Sequence, residues 1–207
     1  MANFKTHVAF STLLGAGYGT AAHLWYGMPL PSCVLAGGLC SLSGMLPDMD
    51  SASGTPLRES VAFAAAVVPM MLLHRFQHMG MAQESIVLAG GAVYLLIRFG
   101  LAELLGHCTS HRGMFHSLPA AVIAGELAFL LSSGPDMKIR VYKAGAVVLG
   151  YVSHLLLDEL CSLQMYRGQL RLKHSFGTAM KLFGAGWLPN LFTYANLGLW
   201  TFVILKE

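Results

Sequence analysis

Residues 139–160 read IRVYKAGAVVLGYVSHLLLDEL, an apolar run that closes on a histidine and an aspartate four positions apart. A helix needs about 20 mostly apolar residues to cross the hydrocarbon core of a bilayer. The run has that length, so it predicts a membrane helix with His154 and Asp158 in its last two turns. Positions i and i+4 share a helical face, so imidazole and carboxylate point the same way while Leu155, Leu156 and Leu157 face other helices or lipid. An Asp in an apolar helix is costly unless it is paired or bound to a cation. From this stretch alone, a hydrogen bond tying two helices and a pair of metal ligands are equally good readings.

Working outward, six more apolar segments have helical length: 7–26, 31–47, 60–77, 85–106, 117–133 and 190–205. The second is rich in Gly, Ser and Cys, which fits a tilted or partly re-entrant helix. Gly37-Gly38, Gly44, Gly90-Gly91, Gly145 and Gly150 suit close helix packing in lipid. Only 11% of the 207 residues are charged, against about 25% in soluble domains. The predicted class is therefore all-α: a polytopic membrane bundle of about six to seven transmembrane helices, forming one domain over residues 1–207. Lys5 and the apolar run after it have the look of a signal peptide, but the Gly content and His7 favour a retained first helix. The four cysteines, Cys33, Cys40, Cys108 and Cys161, form no CxxC pair and read as small buried hydrophobes. The net charge of +3 is mild, and basic residues are not interleaved with exposed aromatics, which argues against nucleic acid as partner.

Alternating the segments across a bilayer gathers the polar motifs on one side. His7 begins the first helix there, PDMD (47–50) follows the second, HCTSHRGMFHS (107–117) follows the fourth, and His154 and Asp158 end the sixth. The same side collects Lys5, Arg58, Arg98, Arg112, Arg167, Arg171, Lys173 and Lys181. The other collects Arg75, Lys138, Arg140, Lys143 and Lys206. Eight against five makes the motif side cytoplasmic.

Each motif also has a plain reading. Asp48 and Asp50 can face one way on extended backbone and repel unless a divalent cation intervenes, but Asp residues after a Pro are common in turns. His111 and His116 need a turn to converge, which Gly113 permits, and Arg112 is a natural bidentate clamp for phosphate. The same loop also reads as a basic membrane edge. His7 alone is an interfacial histidine. Together these groups make three or four imidazoles and three carboxylates, a mixture suited to Zn²⁺, Mn²⁺ or Fe²⁺, as one ion or two. Glu103 can hold a ligand histidine from outside, whereas Glu126 is too deep and pairs with another helix.

In order, Thr6-His7, Pro47-Asp48-Met49-Asp50, His111-Arg112-Gly113-Met114-Phe115-His116-Ser117 and Gly150-Tyr151-Val152-Ser153-His154 through Asp158 resemble the YdjM-like family of inner-membrane, metal-dependent hydrolases. The likeness runs from His7 to about Gly186. That family is distantly similar to the zinc-dependent phospholipase C and single-strand nuclease group. The resemblance implies His7, Asp48, Asp50, His111, His116, His154 and Asp158 as metal ligands or their near neighbours. Met49 stands where a smaller aliphatic is common and Phe115 where Thr is common, and neither change removes a ligand. The stretch from Arg171 to Ser175 is similar to the family's late basic segment.

The expectation is a multi-pass protein of the bacterial-type inner membrane that hydrolyses a phosphoester, such as a phospholipid, at its cytoplasmic face. Asp50, Arg112 and His116 serve there as catalytic groups, while Arg112, Arg171 and Lys173 hold phosphate. The rival readings are a metal-ion or proton transporter and a non-enzymatic structural membrane protein.

Overall fold

A computed structural model describes residues 3–50, 54–101, 103, 114–166, 169–172, 180–184 and 186–207. Seven α-helices are described: α1 (Phe4–Tyr26), α2 (Leu30–Ser43), α3 (Thr55–His78), α4 (Gln83–Leu95), α5 (Leu118–Leu131), α6 (Met137–Leu160) and α7 (Trp187–Lys206). Each of the seven predicted segments contains one. A 3₁₀ turn, Leu46–Asp50, follows α2, and α4 runs on into a π-helical turn, Leu96–Leu101.

The helix ends follow local chemistry. Asn3 caps α1, its side-chain oxygen accepting from the Thr6 amide at 2.8 Å, and Gly27 ends that helix in a left-handed conformation (φ 63°). Ser117 caps α5 and Asp136 caps α6. Replacing Asn3 with alanine is expected to cost about 1 kcal/mol of stability and fray the turn that carries His7. Chemical unfolding of the variant in detergent checks this.

α6 is the central element, packed against α1, α2 and α5. Small residues set the spacing. A Cβ at Gly15 would lie 2.6 Å from the Gly37 carbonyl oxygen, and one at Gly150 would overlap the Cys40 carbonyl and the Ser43 hydroxyl. Ala36, Cys40 and Ala146 are fully buried in this seam. Of the glycines expected at close contacts, Gly37, Gly44 and Gly150 are there, while Gly91 meets nothing. Cys33 and Cys40 are buried and unpaired, and Cys108 lies outside the described residues.

The other end of the bundle is tied by charge. Arg140 on α6 and Arg75 on α3 both donate to the Glu207 carboxylate, at 2.8 and 2.7 Å. Thr201 on α7 donates to Glu126 on α5 at 2.5 Å, the helix pairing expected of that acid.

The helical class holds, with one small addition: the connection 161–189 holds a two-stranded antiparallel hairpin, β1 (Leu163–Tyr166) and β2 (Gln169–Leu172). Among the described residues, two helices are long and apolar enough to cross a membrane unaided, Leu57–His78 within α3 and Trp187–Lys206. The α2 and α5 helices are apolar but have 14 residues each, about 21 Å of rise against a hydrocarbon core of about 30 Å. The α1 and α6 helices have the length but carry polar side chains. One expectation needs correction: Asp48 and Asp50 lie on a 3₁₀ turn, so the extended backbone that their spacing relied on is absent.

Candidate metal centre

Four chain segments meet at one end of the bundle. α1 brings His7 from its first turns, and the 3₁₀ turn brings Asp48. The segment before α5 brings His116, and the last two turns of α6 bring His154 and Asp158. His7, His116, His154 and Asp158 are buried, while the Asp48 side chain keeps 19% of its surface exposed. Asp48 is therefore the most exposed of the five.

The donor atoms converge. Nε2 of His154 lies 3.5 Å from Asp48 Oδ1 and 3.7 Å from Asp158 Oδ2. Nε2 of His116 lies 3.6 Å from Asp48 Oδ1 and 4.0 Å from Asp158 Oδ2. Nε2 of His7 lies 3.2 Å from the other Asp158 oxygen, Oδ1. The His7 and His154 rings stack at 3.7 Å between centroids. Two triads, His7–His154–Asp158 and Asp48–His116–His154, each have ligand atoms within 4.8 Å of one another.

Neighbouring groups hold this arrangement. Nδ1 of His154 is 2.7 Å from the Gly44 carbonyl oxygen. A carbonyl only accepts, so Nδ1 carries the proton and Nε2 presents its lone pair to the cluster. Metal-bound histidines characteristically donate their second nitrogen this way. Gly44 is tucked against Ser11, whose hydroxyl also bonds the Ser41 carbonyl at 3.1 Å, so α1 fixes the end of α2. The Tyr151 hydroxyl donates to the Phe115 carbonyl at 2.5 Å and pins the segment that carries His116.

The donor chemistry fits a divalent cation. Nε2 of His154, both ring nitrogens of His116 and Nδ1 of His7 are buried without a hydrogen-bond partner. Buried polar atoms ordinarily have partners, and of these nitrogens Nε2 of His154 and Nε2 of His116 face the Asp48 and Asp158 carboxylates, an arrangement a cation satisfies. Burial pushes the Asp48 carboxyl up, but the imidazoles of His116, His154 and His7 around it outweigh that push. The net effect holds Asp48 well below the usual carboxylate range, in its ligating form.

Of the residues expected at the site, His7, Asp48, His116, His154 and Asp158 are brought together. His111, Arg112 and Lys173 lie outside the described residues, as do the side chains of Asp50 and Arg171, although Arg171 falls on β2. Glu103 is exposed. Sequence reasoning gave Gly44 a packing role only and assigned none to Tyr151. Tyr151 had a signal, since it lies three residues before His154 and near its helical face. A backbone carbonyl such as that of Gly44 has none.

A family model described as YdjM inner membrane protein matches residues 1–169, a span that contains all five cluster residues. Neither the curated proteins nor the solved structures gave a match.

Proposed function

The chain belongs to the YdjM inner membrane protein family, and on that footing we propose that it is a membrane-bound, metal-dependent hydrolase of a phosphoester. The observation that carries the reading is the set of buried imidazole nitrogens left without partners beside two carboxylates at one end of the bundle. Asp48, His116, His154 and Asp158 are the groups that would hold the ion, Zn²⁺ by preference, with Mn²⁺ or Fe²⁺ as alternatives. When bound, a divalent ion supplies Lewis acidity to a phosphoryl oxygen and acidifies water towards neutral pH.

The residues' own contributions follow from their positions. Asp48 is more exposed than Asp158, and we assign it to meet an incoming substrate. His116 offers Nε2 to the ion, facing Asp48 and Asp158 at 3.6 and 4.0 Å, and its Nδ1, without a hydrogen-bond partner, is the nitrogen left to take or give a proton. Arg112, Arg171 and Lys173 supply positive charge for phosphate. A phospholipid is the natural substrate class for a site at the end of a lipid-embedded bundle. The proposed setting is a multi-pass bundle of six to seven spans with this end at the cytoplasmic face, where the shorter α2 and α5 are embedded among longer helices.

The test is hydrolysis. Protein in lipid nanodiscs, loaded with Zn²⁺ or Mn²⁺, is assayed on a soluble phosphodiester and on phospholipid vesicles, and then after chelation. The expected result is metal-dependent release of product that falls at least 100-fold in Asp48→Asn, the order of loss that follows removal of a group acting in the transition state. No hydrolysis of either substrate by metal-loaded protein contradicts the proposal, and ion flux across liposomes without hydrolysis replaces it with a transporter.

A further inference from the structure

Resting on the metal-centre reading, we infer that the described cluster is built for one ion, with Asp48, His116, His154 and Asp158 as its ligands and His7 as a positioning residue that acts through Asp158. Both candidate triads contain His154. Its Nδ1 proton is committed to the Gly44 carbonyl, so it has a single lone pair, on Nε2, and one lone pair binds one ion. The two triads therefore compete for the same nitrogen and cannot fill together.

The distances decide between them. Donors bound at about 2.0–2.2 Å to one tetrahedral ion lie about 3.3–3.6 Å apart. Asp48 Oδ1 is 3.5 and 3.6 Å from the two Nε2 atoms of His154 and His116. Asp158 Oδ2 is 3.7 and 4.0 Å from the same two atoms. Asp48, His116 and His154 thus match one coordination sphere, and Asp158 Oδ2 stands just outside it, within reach of both imidazoles, as the fourth ligand of the same ion. His7 instead addresses Oδ1 of Asp158, at the 3.2 Å of a hydrogen bond, and its ring lies nearly parallel to that of His154. Once the His154 lone pair is used, the first triad offers a second ion only His7 and Asp158. Two donors are fewer than the three protein ligands that even open zinc sites use.

On this assignment His7 donates to Asp158 and aims its second oxygen at the ion. Outer partners of this kind typically govern about 10–100-fold in metal affinity. The experiment measures metal stoichiometry of the intact wild-type protein by elemental analysis, and Zn²⁺ affinity and imidazole count by X-ray absorption in wild type, His7→Gln and His7→Phe. One ion per chain is expected. Affinity should fall about 10–100-fold in His7→Phe and less in His7→Gln, whose amide still donates, with the imidazole count unchanged in both. Two ions per wild-type chain, or a count lower by one imidazole in either variant, overturns the inference and leaves the metal centre standing. Protein that binds no ion overturns both. The wild-type stoichiometry keeps the inference testable if a variant fails to fold.

Discussion

Replacing His154 with alanine is expected to empty the metal centre, weakening the affinity for Zn²⁺ by more than the roughly 100-fold that loss of an outer partner can cause. No other residue belongs to both ligand triads. Its ring also stacks on His7 and crosses that of His116 edge-on at 5.7 Å, so its removal disturbs two neighbouring imidazoles as well as deleting a lone pair. The helices should persist, because α6 is held along its length by α1, α2 and α5. Competition against a chelator of known affinity, with circular dichroism to confirm helix content, measures the effect. Unchanged affinity in a helical protein would place the ion elsewhere.

The second large effect is expected at Gly150, far from any donor atom in chemical terms yet coupled to the site. A Cβ there would strike the Cys40 carbonyl and the Ser43 hydroxyl on α2. The first of these is backbone, which can yield only if α2 shifts away from α6. Alanine is worth about 1 kcal/mol over glycine as a helix former, but overpacking of this kind costs about 1–3 kcal/mol or more. Gly150→Ala should therefore lose stability on balance, and Gly150→Leu should lose much more. Displacement of α2 also carries the Gly44 carbonyl away from His154, so metal affinity should fall in step. Gly17→Ala is the control, because a Cβ there meets nothing within 4 Å, and it should gain about 0.5–1 kcal/mol. Thermal unfolding of the three proteins in the same detergent orders them. Gly150→Ala unfolding at or above the Gly17→Ala temperature contradicts the close seam.

Much of this arrangement is legible in the sequence, for identifiable reasons. Hydropathy over helix-length windows locates all seven described helices because long apolar runs leave few other conformations open. Chain alternation then gathers His7, Asp48, His116, His154 and Asp158 before any contact is known. The same windows run past the helix ends. A window of 17 residues at 31–47 counts Pro47 and the turn before it as helix, whereas α2 ends at Ser43 and the chain tightens into a 3₁₀ turn. The hairpin at 163–172 is missed because strands of four residues each are too short for a hydropathy pattern to separate them from a loop. Pairing is less legible still. That His7 addresses Asp158, while Asp48 addresses His116 and His154, depends on the crossing of four segments, and no local spacing encodes it.

The account stands on the claim that these side chains hold a cation, and anomalous diffraction at the zinc edge tests it most directly. Crystals grown with Zn²⁺ are predicted to show a peak about 2.0–2.2 Å from Nε2 of both His154 and His116 and from a carboxylate oxygen of Asp48. A map with no peak between these atoms at full zinc loading, or with zinc bound only elsewhere on the protein, would contradict it.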